Sequence, residues 1–220
     1  MTTLIIAAHP DDEVLGAGGY MAKHAGCRVA IVTEGTTGRD VPHQEALAAI
    51  HAKREATRAA LEILGARLVF EGDFLDQGLT ITDKGLHREI THLLIEHRPD
   101  VVLTHHPHEQ NADHRVIAEA VGVACRAFLP QARQIQRVLS FIVDSWAVPG
   151  QASPPAHTVL VSLTEVQLQR KLDALRCYKE ELRPWPHPRN DEAILHHAKW
   201  LGALSGTDAA EAYTLLWGRM

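Results

Sequence analysis

Cysteine is scarce: Cys27, Cys125 and Cys177 form an odd set without CxxC spacing, which argues against a disulfide framework and against a thiolate zinc site. Reduced, mostly buried thiols in a cytoplasmic protein are the expectation. Long apolar runs are missing as well, since no stretch approaches the roughly 20 residues that span a bilayer. The N-terminal apolar run is only about five residues long, has no basic region before it and leads straight into charged residues, which is not the pattern of a signal peptide. An excess of basic residues is absent too: the formal net charge is −5 and the Lys and Arg residues are scattered. That leaves no electrostatic footprint for nucleic acid or an anionic membrane surface. Nor is there a glycine-rich phosphate turn, because Gly16, Gly18 and Gly19 follow an acidic motif and do not spell GxGxxG, which weighs against a nucleotide-binding module.

The 220 residues that are there, 45% of them hydrophobic, are enough to bury a substantial core as one domain spanning residues 1–220. Short β-branched runs alternate with longer helical patterns, the rhythm of a mainly parallel, Rossmann-like sheet in a three-layer α/β/α sandwich. Strands are expected at Leu4 to Ala8, Arg28 to Thr33, Arg67 to Glu71, Val101 to Thr104, Val138 to Val143 and Thr158 to Ser162. Helices are expected at Glu13 to Ala25, Gln44 to Leu64, Lys84 to His97 and Asp113 to Ala127. The C-terminal third reads as helices near Glu165 to Tyr178, Asp191 to Leu204 and Ala209 to Leu216, with a proline-rich link at Pro184, Pro186 and Pro188. The stretch Pro149 to Pro155 is the best candidate for a mobile loop.

The chemistry gathers at two places. His9-Pro10-Asp11-Asp12-Glu13 follows the first strand, at the carboxyl end where open α/β sheets keep their active sites. A histidine and an aspartate three residues apart across such a turn, His9 and Asp12, are an ordinary zinc ligand pair. Asp11, Asp12 and Glu13 also suit the first turn of a helix, where acidic residues are favoured. The second cluster, Asn111-Ala112-Asp113-His114, follows the strand at Val101 to Thr104. Catalytic zinc holds three protein ligands and keeps a further position open, and His114 supplies the third. Asp113 then acts behind the ligands or caps the helix. Most of the 15 histidines are ordinary surface residues, and the density at His105, His106 and His108 is weak evidence by itself.

Taken together, Ala8-His9-Pro10-Asp11-Asp12-Glu13, Asp113-His114-Arg115 and the closing Ala210-Glu211-Ala212-Tyr213 resemble the PIG-L/LmbE-like family of zinc-dependent N-deacetylases over nearly the whole chain. The resemblance implies removal of an N-acetyl group from an amino sugar or its conjugate. It implies one zinc per chain held by His9, Asp12 and His114, with Asp11 as the general base toward a zinc-bound water. Ferrous iron or cobalt could stand in for zinc at such a site. It also implies a small-molecule amino-sugar substrate, and a homo-oligomer is compatible with it.

One departure matters. Several characterised members have histidine where this chain has Asn111, and asparagine can donate a hydrogen bond but cannot transfer a proton at neutral pH. Asn111 is therefore expected either to donate to the oxyanion or substrate, or to serve only the turn. The asparagine form resembles a bacterial branch associated with sugar or polysaccharide pathways. Segments similar to that branch offer polar residues as substrate contacts, and Arg39, Arg54, Asp76, His187 and Arg189 are together the candidates to bind sugar hydroxyls or a phosphate, arginine being suited to an oxyanion. Trp185, between two prolines, is the tryptophan expected to wall a pocket. The competing readings are a metal-dependent hydrolase of another amide or a phosphoester, and a sugar-binding homologue without turnover.

Overall fold

The structure is a computed structural model and describes residues 1–36, 42–144 and 159–219. The β-branched runs form strands β1 (Thr3–Ala7), β2 (Arg28–Thr33), β3 (Arg67–Phe74), β4 (Val101–His105), β5 (Arg137–Phe141), β6 (Val159–Leu163) and β7 (Ala209–Gly218). Between them lie helices α1 (Asp12–Lys23), α2 (His43–Leu64), α3 (Lys84–His97), α4 (Ala112–Ala124), α5 (Glu165–Leu175) and α6 (Asp191–Ser205). The strands join into one seven-stranded sheet in the order β3-β2-β1-β4-β5-β7-β6.

Every residue of β1 is buried because the strand is covered on both faces. Ile5 and Ala7 pack into the layer that holds Val14 and Met21 of α1, Leu61 and Leu64 of α2, and Leu172 of α5. Leu4 and Ile6, alternating with them, face Leu86 and Ile90 of α3 and Ile117 and Val121 of α4. Strict alternation with apolar residues on both sides is what a central parallel strand requires. β1 pairs in parallel with β2 on one side and β4 on the other. The chain therefore winds away from β1 in both directions, and the crevice above the carboxyl ends of β1 and β4 is a topological switch point. Both polar motifs emerge there.

α1 is interrupted at Ala17, which has φ −142° and ψ 18°. The buried Glu211 of β7 takes the amides of Gly19 at 2.7 Å and Tyr20 at 2.6 Å, and its carboxylate also receives Tyr213 Oη at 2.6 Å and Lys171 Nζ at 2.7 Å. Glycine is needed nearby because a Cβ on Gly16 would lie 2.1 Å from the Phe141 ring. The glycines after the first motif thus let α1 pack closely against Phe141 of β5, Lys171 of α5 and Glu211 of β7.

The expected helix at Ala209 to Leu216 is instead β7, antiparallel to both β5 and β6. Alanine, glutamate and leucine favour helix locally, but two neighbouring strands offer this segment a complete set of backbone partners, and that non-local pairing outweighs a weak local preference. Boundaries moved elsewhere: β3 continues to Phe74, α5 stops at Leu175, and β5 ends at Phe141. The loop expected at Pro149 to Pro155 lies outside the described residues. Among the described residues, no helix is long and apolar enough to cross a membrane.

Candidate metal centre and active site

The strand-to-helix turn after β1 places His9 and Asp12 on one side of the switch-point crevice, and the first turn of α4 places His114 on the other. Asn111 caps that helix: its side-chain oxygen accepts the amides of Asp113 at 2.9 Å and His114 at 3.4 Å. His9 Nδ1 lies 3.0 Å from Asp12 Oδ2 and 3.1 Å from His114 Nε2, and His114 Nε2 lies 3.1 Å from Asp12 Oδ2. Three donor atoms therefore form a nearly equilateral triangle. Ligands about 2.0–2.1 Å from a shared tetrahedral zinc stand about 3.3–3.4 Å apart, so the triangle needs only a small expansion to hold one. Asp12 Oδ1 is buried with no hydrogen-bond partner among the described residues, and such an orphan acceptor in a packed interior calls for an ion, a water or a functional use.

The bonds behind the triangle fix which nitrogen of each ring faces it. His105 Nε2 receives the amide of Ala8 at 2.9 Å, so its proton sits on Nδ1, which donates to Glu109 Oε2 at 3.1 Å. His114 Nδ1 donates to the same oxygen at 2.9 Å, which leaves the Nε2 lone pair for a cation; the tautomers are assigned from this bonding. Glu109 Oε1 is in turn held by the amide of Val143 at 2.5 Å. A carboxylate behind a ligating imidazole orients the ring and raises its basicity. On the other side, His9 Nε2 lies 3.0 Å from Asp76 Oδ1 and 3.1 Å from Asp113 Oδ2. Asp113 Oδ2 also accepts the amide of Gln77 at 2.7 Å.

Carboxylates thus crowd both imidazoles. Burial pushes the pKa of His114 down, but Asp12 and Glu109 outweigh it and hold the ring at about 9. Burial also pushes His9 down, and the hydrogen bonds that its ring donates to Asp113, Asp12 and Asp76 carry it well above its ordinary value. The same excess of negative charge favours a divalent cation, which competes with protons for those lone pairs.

Asp11 stands beside the triangle in an uncommon backbone conformation, with φ 113° and ψ −30°. A non-glycine residue at positive φ is strained, and such strain gathers at functional sites. Its amide donates to Glu13 Oε2 at 3.0 Å, and Glu13 Oε1 receives Tyr178 Oη at 2.5 Å. Burial raises the Asp11 carboxyl to about 7, opposed by Arg189, whose Nη1 lies 2.6 Å from Asp11 Oδ2. Burial raises Glu13 to about 8, opposed by the Tyr178 bond. A carboxyl poised near neutrality is suited to exchanging protons at pH 7.

Of the residues singled out in the sequence, His9, Asp11, Asp12, Asp76, Asn111, Asp113, His114 and Arg189 converge here. Two do not. Arg54 pairs with Asp73 at 2.5 Å and with Glu71 at 3.6 Å beside β3, a structural ion pair. His187 is exposed, and its Nδ1 accepts the amide of Arg189 at 3.0 Å. Arg39 lies outside the described residues. Trp185, expected to wall a pocket, is 60% exposed and lies next to the His196 ring. Sequence reasoning missed Glu109 and Tyr178, and it named His105 and Glu13 without these contacts. The available signal for Glu109 was an acid inside the histidine-dense run between His105 and His114; Tyr178 carried none.

Residues 4–125 match the family model described as PIG-L, GlcNAc-PI de-N-acetylase. The chain belongs to the PIG-L family. A PIG-L relative, the diacetylchitobiose deacetylase of Thermococcus kodakarensis, is 33% identical over 190 residues, which cover 81% of this chain and 69% of that protein. The solved N,N'-diacetylchitobiose deacetylase of Pyrococcus horikoshii superimposes with a TM-score of 0.76 at 18% identity, over 98% of this chain and 83% of that one. GalB, the 4-carboxy-2-hydroxymuconate hydratase of Pseudomonas putida KT2440, superimposes with a TM-score of 0.78 at 22% identity, over 100% and 98%. Likeness at such identities is one of fold, and a hydratase shares it, so the reaction of this PIG-L chain has to be argued from its site.

Proposed function

We propose that this chain is a metal-dependent N-deacetylase that hydrolyses the acetamide of an amino sugar or amino-sugar conjugate. The observation that carries this reading is the strained, buried Asp11 carboxyl beside a triangle of two imidazole nitrogens and one carboxylate oxygen. Family membership and the printed activities of the relatives support it.

His9 Nδ1, Asp12 Oδ2 and His114 Nε2 would hold the metal. A zinc ion bound there supplies a Lewis acid, able to acidify water from a pKa of about 15.7 to about 7 and to polarise a carbonyl. The same donor set accepts ferrous iron or cobalt. Asp11 takes the proton of the attacking water and returns it to the amide nitrogen as the C–N bond breaks, so one carboxyl serves as base and then acid. The products are acetate and the free amine. Asn111 has its oxygen committed to the helix amides, and its amino group is the part left to donate to the oxygen on which charge develops. Asp76, about a tenth exposed at the rim, accepts from a sugar hydroxyl, and Arg39 is a further substrate contact in this reading.

The test is release of acetate and free amine from a panel of N-acetylhexosamine conjugates, using protein reconstituted with one equivalent of zinc and a chelated control. Metal-dependent release supports the proposal and ranks the substituents. Stoichiometric metal binding with no release across the panel overturns it.

A further inference from the structure

Behind Asp11 runs a row of charges that alternate in sign and come from distant parts of the chain. Arg189 Nη1 contacts Asp11 Oδ2 at 2.6 Å and Glu181 Oε2 at 3.1 Å. The other oxygen of Glu181 lies 3.0 Å from Lys53 Nζ, and Lys53 Nζ donates to the carbonyl of Gly35 at 2.5 Å. All four side chains are shielded: 4% of Asp11, 8% of Glu181, 11% of Lys53 and 14% of Arg189 is exposed. Asp11 follows β1, Gly35 follows β2, Lys53 is on α2, and Glu181 and Arg189 belong to the segment between α5 and α6.

We propose that Glu181 is a positioning residue for catalysis, holding Arg189 against Asp11 and tying that pair through Lys53 to the loop after β2. The proposal rests on the reading of Asp11 as the base. Arginine has a long, rotamer-rich side chain whose ordering is costly, and here a single nitrogen serves two carboxylates. One of them, Glu181, is itself pinned by Lys53. With both Glu181 oxygens engaged by cations, this carboxylate is a brace and not a contact for substrate. It also sets the charge balance, because two buried cations beside Asp11 alone would leave one positive charge without its partner, an arrangement that interiors tolerate poorly. Both Glu181 and Arg189 lie beyond residues 4–125, the part matched by the family model, so the C-terminal third supports a catalytic group carried by the N-terminal motif.

The experiment compares Glu181→Gln in the native background and in an Asp11→Asn background, with kcat, KM, bound metal and melting temperature measured for each protein. A brace acting through Asp11 lowers kcat by about 10- to 100-fold, the scale expected when a reacting group is misplaced by about an ångström. KM should stay within about twofold and bound metal should be unchanged. Once Asp11 is already asparagine, Glu181→Gln should cause no further loss. An unchanged kcat, a loss confined to KM, or an equal loss in both backgrounds overturns the proposal. Should Glu181→Gln fail to fold, Glu181→Asp carries the same comparison, since it keeps the charge and draws the carboxylate back from Arg189 and Lys53. A wild-type protein that binds metal but hydrolyses no amide would refute the functional reading separately. The brace would then stand or fall on the melting temperatures: non-additive shifts of Asp11→Asn and Glu181→Gln support it, and additive shifts overturn it.

Discussion

His105 stacks on His114 with ring centroids 3.8 Å apart and planes 26° apart, and both rings donate to one oxygen of Glu109. Through its other nitrogen His105 takes the amide of Ala8, the residue just before His9. The two segments that carry the proposed ligands are thereby joined by a residue outside the donor triangle. Burial, followed by the nearby His114 charge, lowers the pKa of His105, which favours the neutral ring that this bonding requires.

Glu109→Gln should therefore weaken metal binding by about 10- to 100-fold, the usual scale for a partner behind a ligating histidine. Competition with a chromogenic chelator measures it without reference to turnover. An affinity within twofold of wild type would mean that Glu109 does not orient His114.

As the proposed base, Asp11 should set the acid side of the pH profile. Only the carboxylate accepts a proton, so activity rises as pH increases through the region near 7 to which burial raises this group. Arg189 opposes burial by favouring the charged form. Arg189→Met should consequently move the acid limb to higher pH, and a profile that stays in place or moves to lower pH would show that Arg189 does not tune Asp11.

Asn111 combines a cap with a proposed hydrogen-bond donor. Asn111→Asp keeps an acceptor for the amides of Asp113 and His114 but removes the amino group, so the melting temperature should hold while kcat falls by about 10²-fold, the scale of a lost oxyanion donor. Undiminished turnover in a folded Asn111→Asp protein would reduce the residue to its capping role.

Gly16 fits α1 against β5. With a Cβ placed 2.1 Å from Cδ2 of Phe141, Gly16→Ala should cost about 1–3 kcal/mol of stability through overpacking, read from urea unfolding. A variant as stable as wild type would show that the contact relaxes freely.

How much of this could be read from residues alone differs by element. The convergence of His9, Asp12 and His114, the proposed ligands, was legible because their types suit a metal and each motif follows a strand-like apolar run, and the fold rule for parallel sheets brings such strand ends together. Asp11 as base came through family resemblance. β7 was illegible because a run of Ala, Glu and Leu names no strand until β5 and β6 lie on either side of it. Arg189 was read as a candidate substrate contact because arginine suits an anion, and its position against Asp11, 178 residues away in the chain, was not legible. Arg54 was read in the same way, and the anions it meets are Glu71 and Asp73 of the neighbouring strand. Supporting residues such as Tyr178 act through long-range contacts, which leave no periodicity or spacing to read.

The division of labour between the residues that hold the metal and the one that moves the proton is tested most directly by Asp11→Asn, with metal stoichiometry and amide turnover measured on the same sample. The account predicts one equivalent of bound metal and a rate lower by about 10²- to 10⁴-fold, the range of general acid–base catalysis. Turnover equal to wild type, or loss of the metal together with the rate, would contradict it.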